Sequence, residues 1–200
     1  VCYGPDNAEP TLRDCLARGA HQAVHVLGGE ATLGDSFTIA KVLAGVIKDR
    51  EYDLVLCGVK GVGTDCSQVG QMLAELLGIP HVANITDLEM GDGSMTATRE
   101  IEGGKEMVEC PTPALLTCQK GLNEPRYAAL KGIMAAKKKP VDKVEVASLG
   151  VEEGADPFYE VATLELPPEK TAGTIIQGED DAAAAAGELV KLLREEAKAI

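Results

Sequence analysis

The stretch best suited to chemistry is CGVKGVGTDCSQVG, residues 57–70. It follows an apolar run and leads into helical spacing, which puts it at the carboxyl end of a strand, where doubly wound sheets bind ligands. Gly58, Gly61 and Gly63 let the backbone approach a ligand closely. The amides of Ser67, Gln68 and Val69 at a helix N-terminus suit a phosphate, because they lack intrahelical acceptors and lie at the positive end of the helix dipole. Asp65 offers either a cap for that helix or an acceptor for a ribose hydroxyl. Val62 and Cys66 complete the loop. The pattern is neither a Walker A loop nor G-x-G-x-x-G, and a plain βα connection capped by Asp65 is the alternative to nucleotide binding.

Two further stretches stand out. In TREIEGGKEMVECPTPALLT (98–117) Arg99 and Glu100 are neighbours on a strand, so they point to opposite faces; locally the segment reads as a solvated hairpin. In NEPRYAALKGIMAAKKKP (123–140) Tyr127, Leu130, Ile133 and Met134 are apolar residues set among bases. Such a loop can anchor in a partner's pocket, or it can form a short amphipathic helix on its own domain. Lys137–Lys139 reads as a solvated face. No Ser-His-Asp, Cys-His or paired-carboxylate constellation is visible. The six cysteines (Cys2, Cys15, Cys57, Cys66, Cys110, Cys118) include no C-x-x-C pair. The three histidines are not placed beside them as ligands, so the cysteines read as reduced thiols rather than a metal or iron–sulfur site.

The elements that must position these residues alternate. Thr11–Arg18 reads as a short helix and Gln22–Leu27 as a strand. A helix capped by Asp35 or Ser36 carries Ile39, Val42, Leu43, Val46 and Ile47 on one stripe. Asp53–Cys57 is apolar after its first residue, the signature of a strand buried on both faces of a parallel sheet. Val69, Met72, Leu73, Leu76 and Leu77 stripe a second helix, stopped by Gly78 and Pro80. This order implies right-handed βαβ units. His81–Met90, Ser94–Ile101 and Lys105–Cys110 alternate around GDG and EGG turns and predict antiparallel hairpins. Ala114–Cys118 reads as a further buried strand and residues 119–141 as a polar, basic stretch. FYEVATLEL (158–166) is strand-like, and Asp181–Ile200 predicts a helix.

Composition narrows the functions. The 200 residues are 45% hydrophobic and 26% charged, values of a folded globular chain, and no apolar run approaches the ~18 residues of a membrane span. The formal charge of −13 argues against nucleic acid as a partner. Seven bases and two acids between residues 120 and 143 make a positive patch within this acidic chain, suited to a local partner or an anionic ligand.

TREIEGG followed by CPTPALLT resembles the signature region of the electron transfer flavoprotein β-subunit. QKGLNEPRYAALKGIMAAKKKP resembles the stretch that follows it in that family, and GPDNAEPTLRDCLARGAHQAVHVL the family's early segment. GVKGVGTDCSQVGQML resembles its nucleotide loop. The resemblance implies a Rossmann-like α/β fold of the adenine nucleotide α-hydrolase type, a parallel sheet with antiparallel hairpin additions and a C-terminal extension helix. It divides the chain into a nucleotide-binding domain over 1–145 and a C-terminal arm and helix over 146–200 that packs on the partner subunit. The family begins with a further strand, loop and helix, so the chain is expected to open in mid-fold.

The same resemblance implies a heterodimer in which an α-subunit holds most of the redox-active FAD, while the β-subunit buries AMP or, in bifurcating relatives, a second FAD. Nucleotide contacts carry over onto Tyr3, Gly58, Gly61, Val62, Gly63, Asp65, Cys66, Ser67, Gln68 and Val69. Glu100, beside Arg99, matches an acid that faces the partner's flavin domain. Asn123, Glu124, Pro125, Arg126, Tyr127, Leu130, Ile133 and Met134 match the loop that docks acyl-CoA or related flavin dehydrogenases, with Leu130 as the anchor. Electrons then pass to a membrane quinone oxidoreductase or, in a bifurcating complex, run between NADH, ferredoxin and an acceptor. The implied location is cytoplasmic, or the mitochondrial matrix in a eukaryote, without insertion in a membrane. The loop departs from the family: Val59, Lys60, Gly61 and Gly63 stand where Lys, Gln, Ala and an acid are usual. QVG at 68–70 resembles the nitrogen-fixation and bifurcating branches. A degenerate subunit without nucleotide and an ATP-using α-hydrolase-type enzyme are the alternatives.

Overall fold

A computed structural model describes all residues except 29–34, 152–160, 170–172 and 179–180. It divides into two units, Val1–Ala162 and Thr163–Ile200. In the first unit the parallel strands fall into two sheets. β1 (Cys2–Gly4), β2 (Ala23–Leu27) and β8 (Val141–Glu145) form a three-stranded sheet in the order β1-β2-β8, both pairings parallel. The second sheet takes β3 (Leu54–Gly58), β7 (Ala114–Cys118), β4 (His81–Met90), β5 (Ser94–Ile101) and β6 (Gly104–Pro111) in that spatial order. Its β3, β7 and β4 run parallel, and β5 and β6 add an antiparallel meander.

Four helices cover these sheets: α1 (Glu9–Ala17), α2 (Ser36–Ile47), α3 (Val69–Leu77) and α4 (Leu130–Ala136). α2 joins the two layers. Its Val42 and Val46 pack on Val24 and Val26 of β2, while Ala40, Ala44 and Ile47 pack on Leu73 and Ala74 of α3 and on Leu115 of β7. Small and branched residues on two faces let one helix serve two cores. In the second unit α5 (Ala182–Glu195) starts at Asp181, whose carboxylate accepts the amides of Ala183 and Ala184. No helix among the described residues is long and apolar enough to cross a membrane.

The N-terminus of α2 turns on Asp35. Its Oδ1 accepts the amides of Phe37 (2.9 Å) and Thr38 (3.1 Å), and its Oδ2 accepts the Thr38 hydroxyl (2.7 Å), all with the side chain buried. Burial pushes this carboxyl upward, but the Thr38 and Phe37 hydrogen bonds outweigh it and hold the group below its ordinary 3.8. The ionised cap therefore stabilises the fold above pH 3.8 and loses that contribution as the pH falls through the lowered value. Asp35→Ala is expected to cost about 1–2 kcal/mol at pH 7, read as a lower midpoint in urea. The gap from wild type should narrow in acid; a gap independent of pH would remove the charged cap from the account.

Three sequence expectations change. β3 is not buried on both faces: Val55 and Cys57 pack under α2 and α3, but Leu56 is 58% exposed. Among the described residues the helices α2 and α3 cover the face of Val55 and Cys57, and the face of Leu56 is left half exposed. The polar stretch 119–141 runs into β8, whose VDKVE conceals a strand because charges at Asp142, Lys143 and Glu145 mask the β pattern. Residues 158–160 lie outside the described set, and 161–166 form no strand.

Candidate functional site

The loop after β3 opens onto a groove of about 540 Å³. Gly58, Gly61, Cys66, Ser67, Gln68 and Val69 line it, together with Val59, Lys60 and Thr64 of the same loop and Ser36 and Ile39 of α2. Tyr3, Val62, Gly63 and Asp65 are not among its lining residues. The Tyr3 ring lies instead against Gly28, where an added Cβ would collide with it, and Val62 points into solvent.

Asp65 does not cap α3. The loop turns sharply there, with Asp65 and Ser67 at positive φ (49° and 53°), which carries the carboxylate to Lys60 Nζ at 3.1 Å. Gln68 holds the cap position without a side-chain hydrogen bond. The first intrahelical bond is accepted by Gln68 from Met72. The amides of Val69, Gly70 and Gln71 thus open onto the N-terminal end of α3 without an intrahelical partner. A Cβ on Gly58 would meet nothing within 4 Å, so the floor of the groove has space for a ligand. Uncapped amides, open glycine backbone and a nearby lysine fit the phosphate end of an adenylate. The helix seat is close-packed from below: a Cβ on Gly70 would come within 2.7 Å of the Thr117 methyl.

Burial and neighbouring Cys118 push the Cys57 thiol up. Exposed Cys66 donates its thiol hydrogen to Thr64 O at 3.3 Å. Among the described residues no group of three His, Cys, Asp or Glu is arranged to hold a metal ion.

The other candidates lie on separate elements. Arg99 on β5 donates to Glu106 on β6 at 2.7 Å; Glu100 stands opposite Lys105 in the same hairpin. Burial first, and then the Arg99 charge, lower the pKa of His81 at the start of β4. Asn123 Nδ2 donates to the Glu124 carbonyl (3.2 Å), Pro125 is exposed, and the Arg126 guanidinium lies over Gly19. Tyr127 (94% exposed), Leu130 (77%), Met134 (58%) and Ile133 (43%) are all exposed, at and just before α4.

Lys139 is not part of a solvated face. Its ammonium donates to Leu16 O at 2.9 Å and to Ala20 O, at the end of α1. Arg13 of α1 donates in return to Ala136 O (3.0 Å) and Lys139 O (2.8 Å), at the end of α4. A lysine run shows the charge but not which member reaches another helix, so sequence alone missed both residues. The groove beside this contact, lined by Asp6, Glu9, Asp14, Ile133 and Lys137 among others, is larger than the loop groove at about 800 Å³. No glycine lines it, and Asp6, Glu9 and Asp14 place three carboxylates along it, so the phosphate argument does not extend to it.

The sequence profile of the electron transfer flavoprotein domain matches residues 1–149. Relatives called electron transfer flavoprotein subunit beta align along nearly the whole chain. The Bacillus subtilis protein is 44% identical over 202 residues, covering 100% of this chain and 78% of the relative. That of Syntrophomonas wolfei is 39% identical, covering 92% of this chain and 70% of its own length. The bovine protein is 34% identical over 96% of this chain and 75% of its own length.

Proposed function

This chain belongs to the electron transfer flavoprotein β-subunit family, and on that premise we propose that it is the scaffold half of a heterodimeric electron carrier. An α-type companion holds the FAD that supplies the redox chemistry. Residues of this chain bind, position and dock. The loop 57–70 holds AMP, or a second FAD in a bifurcating complex: the amides at the start of α3 take the phosphate, and Gly58 and Gly61 leave room for it. Tyr3, Val62, Gly63 and Asp65 complete the nucleotide's surroundings only if the loop closes from the arrangement described above. Arg99 and Glu100 face the companion's flavin domain, and the arm over 146–200 packs on that companion.

The segment from Asn123 to Lys137 docks an acyl-CoA or related flavin dehydrogenase, which is the electron donor. The acceptor is a membrane quinone oxidoreductase, or ferredoxin and a second acceptor where electrons bifurcate. The observation that carries this reading is the joint exposure of Tyr127, Leu130, Ile133 and Met134 on one short, base-flanked segment. Four large apolar side chains held in water favour burial in a partner's pocket.

The test is co-purification with the α-type companion and a count of nucleotides released on denaturation. One FAD and one AMP per heterodimer are expected. Two FADs and no AMP would assign the chain to the bifurcating branch, and one FAD alone would leave a degenerate β-subunit. Steady ATP hydrolysis by the intact heterodimer would overturn the electron-carrier reading in favour of an enzyme.

A further inference from the structure

α4 has seven residues and no side-chain N-cap, too short a helix to hold itself in water. Yet it carries Leu130, Ile133 and Met134. Its orientation comes from α1. Ala136 is buried against Leu12 and Leu16. At Gly132 the two helices approach so closely that an added Cβ would collide with the Ala17 carbonyl. The ends of both helices are then tied crosswise: Arg13 of α1 bonds the last carbonyls of α4, and Lys139, just past α4, bonds those of α1. Each cation meets carbonyls at or just past a helix C-terminus, where positive charge is favoured. Glu9 bonds Arg13 at 3.1 Å and sets the guanidinium in place.

We propose that Arg13 and Lys139 are positioning residues for docking: the crossed caps hold the 130–136 helix in its binding-ready form, so the client does not have to order it. The proposal rests on the docking reading above. A segment that is folded only part of the time weakens apparent affinity by the fraction folded, and preordering removes that loss.

The test uses the heterodimer with an acyl-CoA dehydrogenase as reductant, following flavin reduction against heterodimer concentration, alongside amide hydrogen exchange. Lys139→Ala and Arg13→Ala are each expected to raise KM roughly 5- to 10-fold, with kcat and bound nucleotide unchanged and faster exchange over 130–136. Lys139→Arg, which can still reach both carbonyls, is expected to keep KM within about twofold of wild type and exchange slow. Unchanged exchange in both alanine variants overturns the clamp. So does a KM rise without faster exchange, since the charges then act on the client directly. A loss of nucleotide together with the KM rise overturns it too, because the effect is then general unfolding. Leu130→Ala is the control for the reading beneath: if it leaves KM unchanged, the docking site lies elsewhere, whereas a rise in Leu130→Ala without one in Arg13→Ala and Lys139→Ala sinks the clamp alone.

Discussion

Leu130→Ala is expected to raise the KM of the heterodimer for a flavin dehydrogenase by about 10- to 100-fold, with bound nucleotide and thermal midpoint unchanged. Leu130 is 77% exposed, so truncating it removes almost no packing within the chain. Full burial of a leucine in a partner's pocket is worth about 1.5–3 kcal/mol, and each 1.4 kcal/mol is about tenfold. The loss should therefore appear in encounter with the donor and vanish at saturating concentration. Leu130→Asp should do worse, because it places a charge in the apolar pocket. Equal KM values for Leu130→Ala and wild type would remove this residue from the docking surface. An equal fall in kcat at saturation would move its role from binding to electron transfer itself.

Gly70→Val is expected to release the nucleotide and lower stability by about 1–3 kcal/mol, the range for overpacking a close-packed site. Even a Cβ there would lie 2.7 Å from the Thr117 methyl and 3.5 Å from Leu115. Thr117 cannot easily turn away. It is buried, and its hydroxyl accepts the Asn84 amide at 2.9 Å, where β4 bulges with Asn84 at a φ of 58°. The strain is relieved instead by lifting the first turn of α3 off β7, and that turn carries the amides assigned to the phosphate. AMP retained at wild-type stoichiometry in a folded Gly70→Val heterodimer would show that the phosphate is held elsewhere. Gly58→Ala is the contrasting change, since its Cβ enters open space and should perturb the fold little while intruding on the ligand.

Local signals carried much of the fold. The Asp35 cap, the Val42 and Val46 stripe, the Gly78 stop (φ 67°) and the GDG and EGG turns each act within a few residues, and the elements they mark are present. The hairpins β4–β5 and β5–β6 follow from short turns between alternating runs. β8 was hidden because its pairing partner β2 lies more than a hundred residues away, and charged side chains on a strand near solvent erase the β pattern. The half-exposed β3 differs for a related reason: an apolar run reports what a strand would bury, not whether anything covers both of its faces.

The candidate loop was legible as a glycine-rich turn between a strand and a helix, and the family was legible in TREIEGG, CPTPALLT and NEPRYAALKGIMAAKKKP. Its internal wiring was not. Asp65 reads equally well as a cap or a ligand contact, and the positive-φ turn settles it on Lys60 instead. What the sequence determined by itself is therefore what depends on neighbours along the chain: which segments fold into which elements, where they stop, and which side chains are apolar enough to need a partner. Only the tertiary structure decided which face of β3 is covered, why Gly70 must stay small, and how Arg13 and Lys139 tie α1 to α4 across more than a hundred residues. Those outcomes depend on distances between elements, which chain order does not encode locally and which the packing of the whole domain selects.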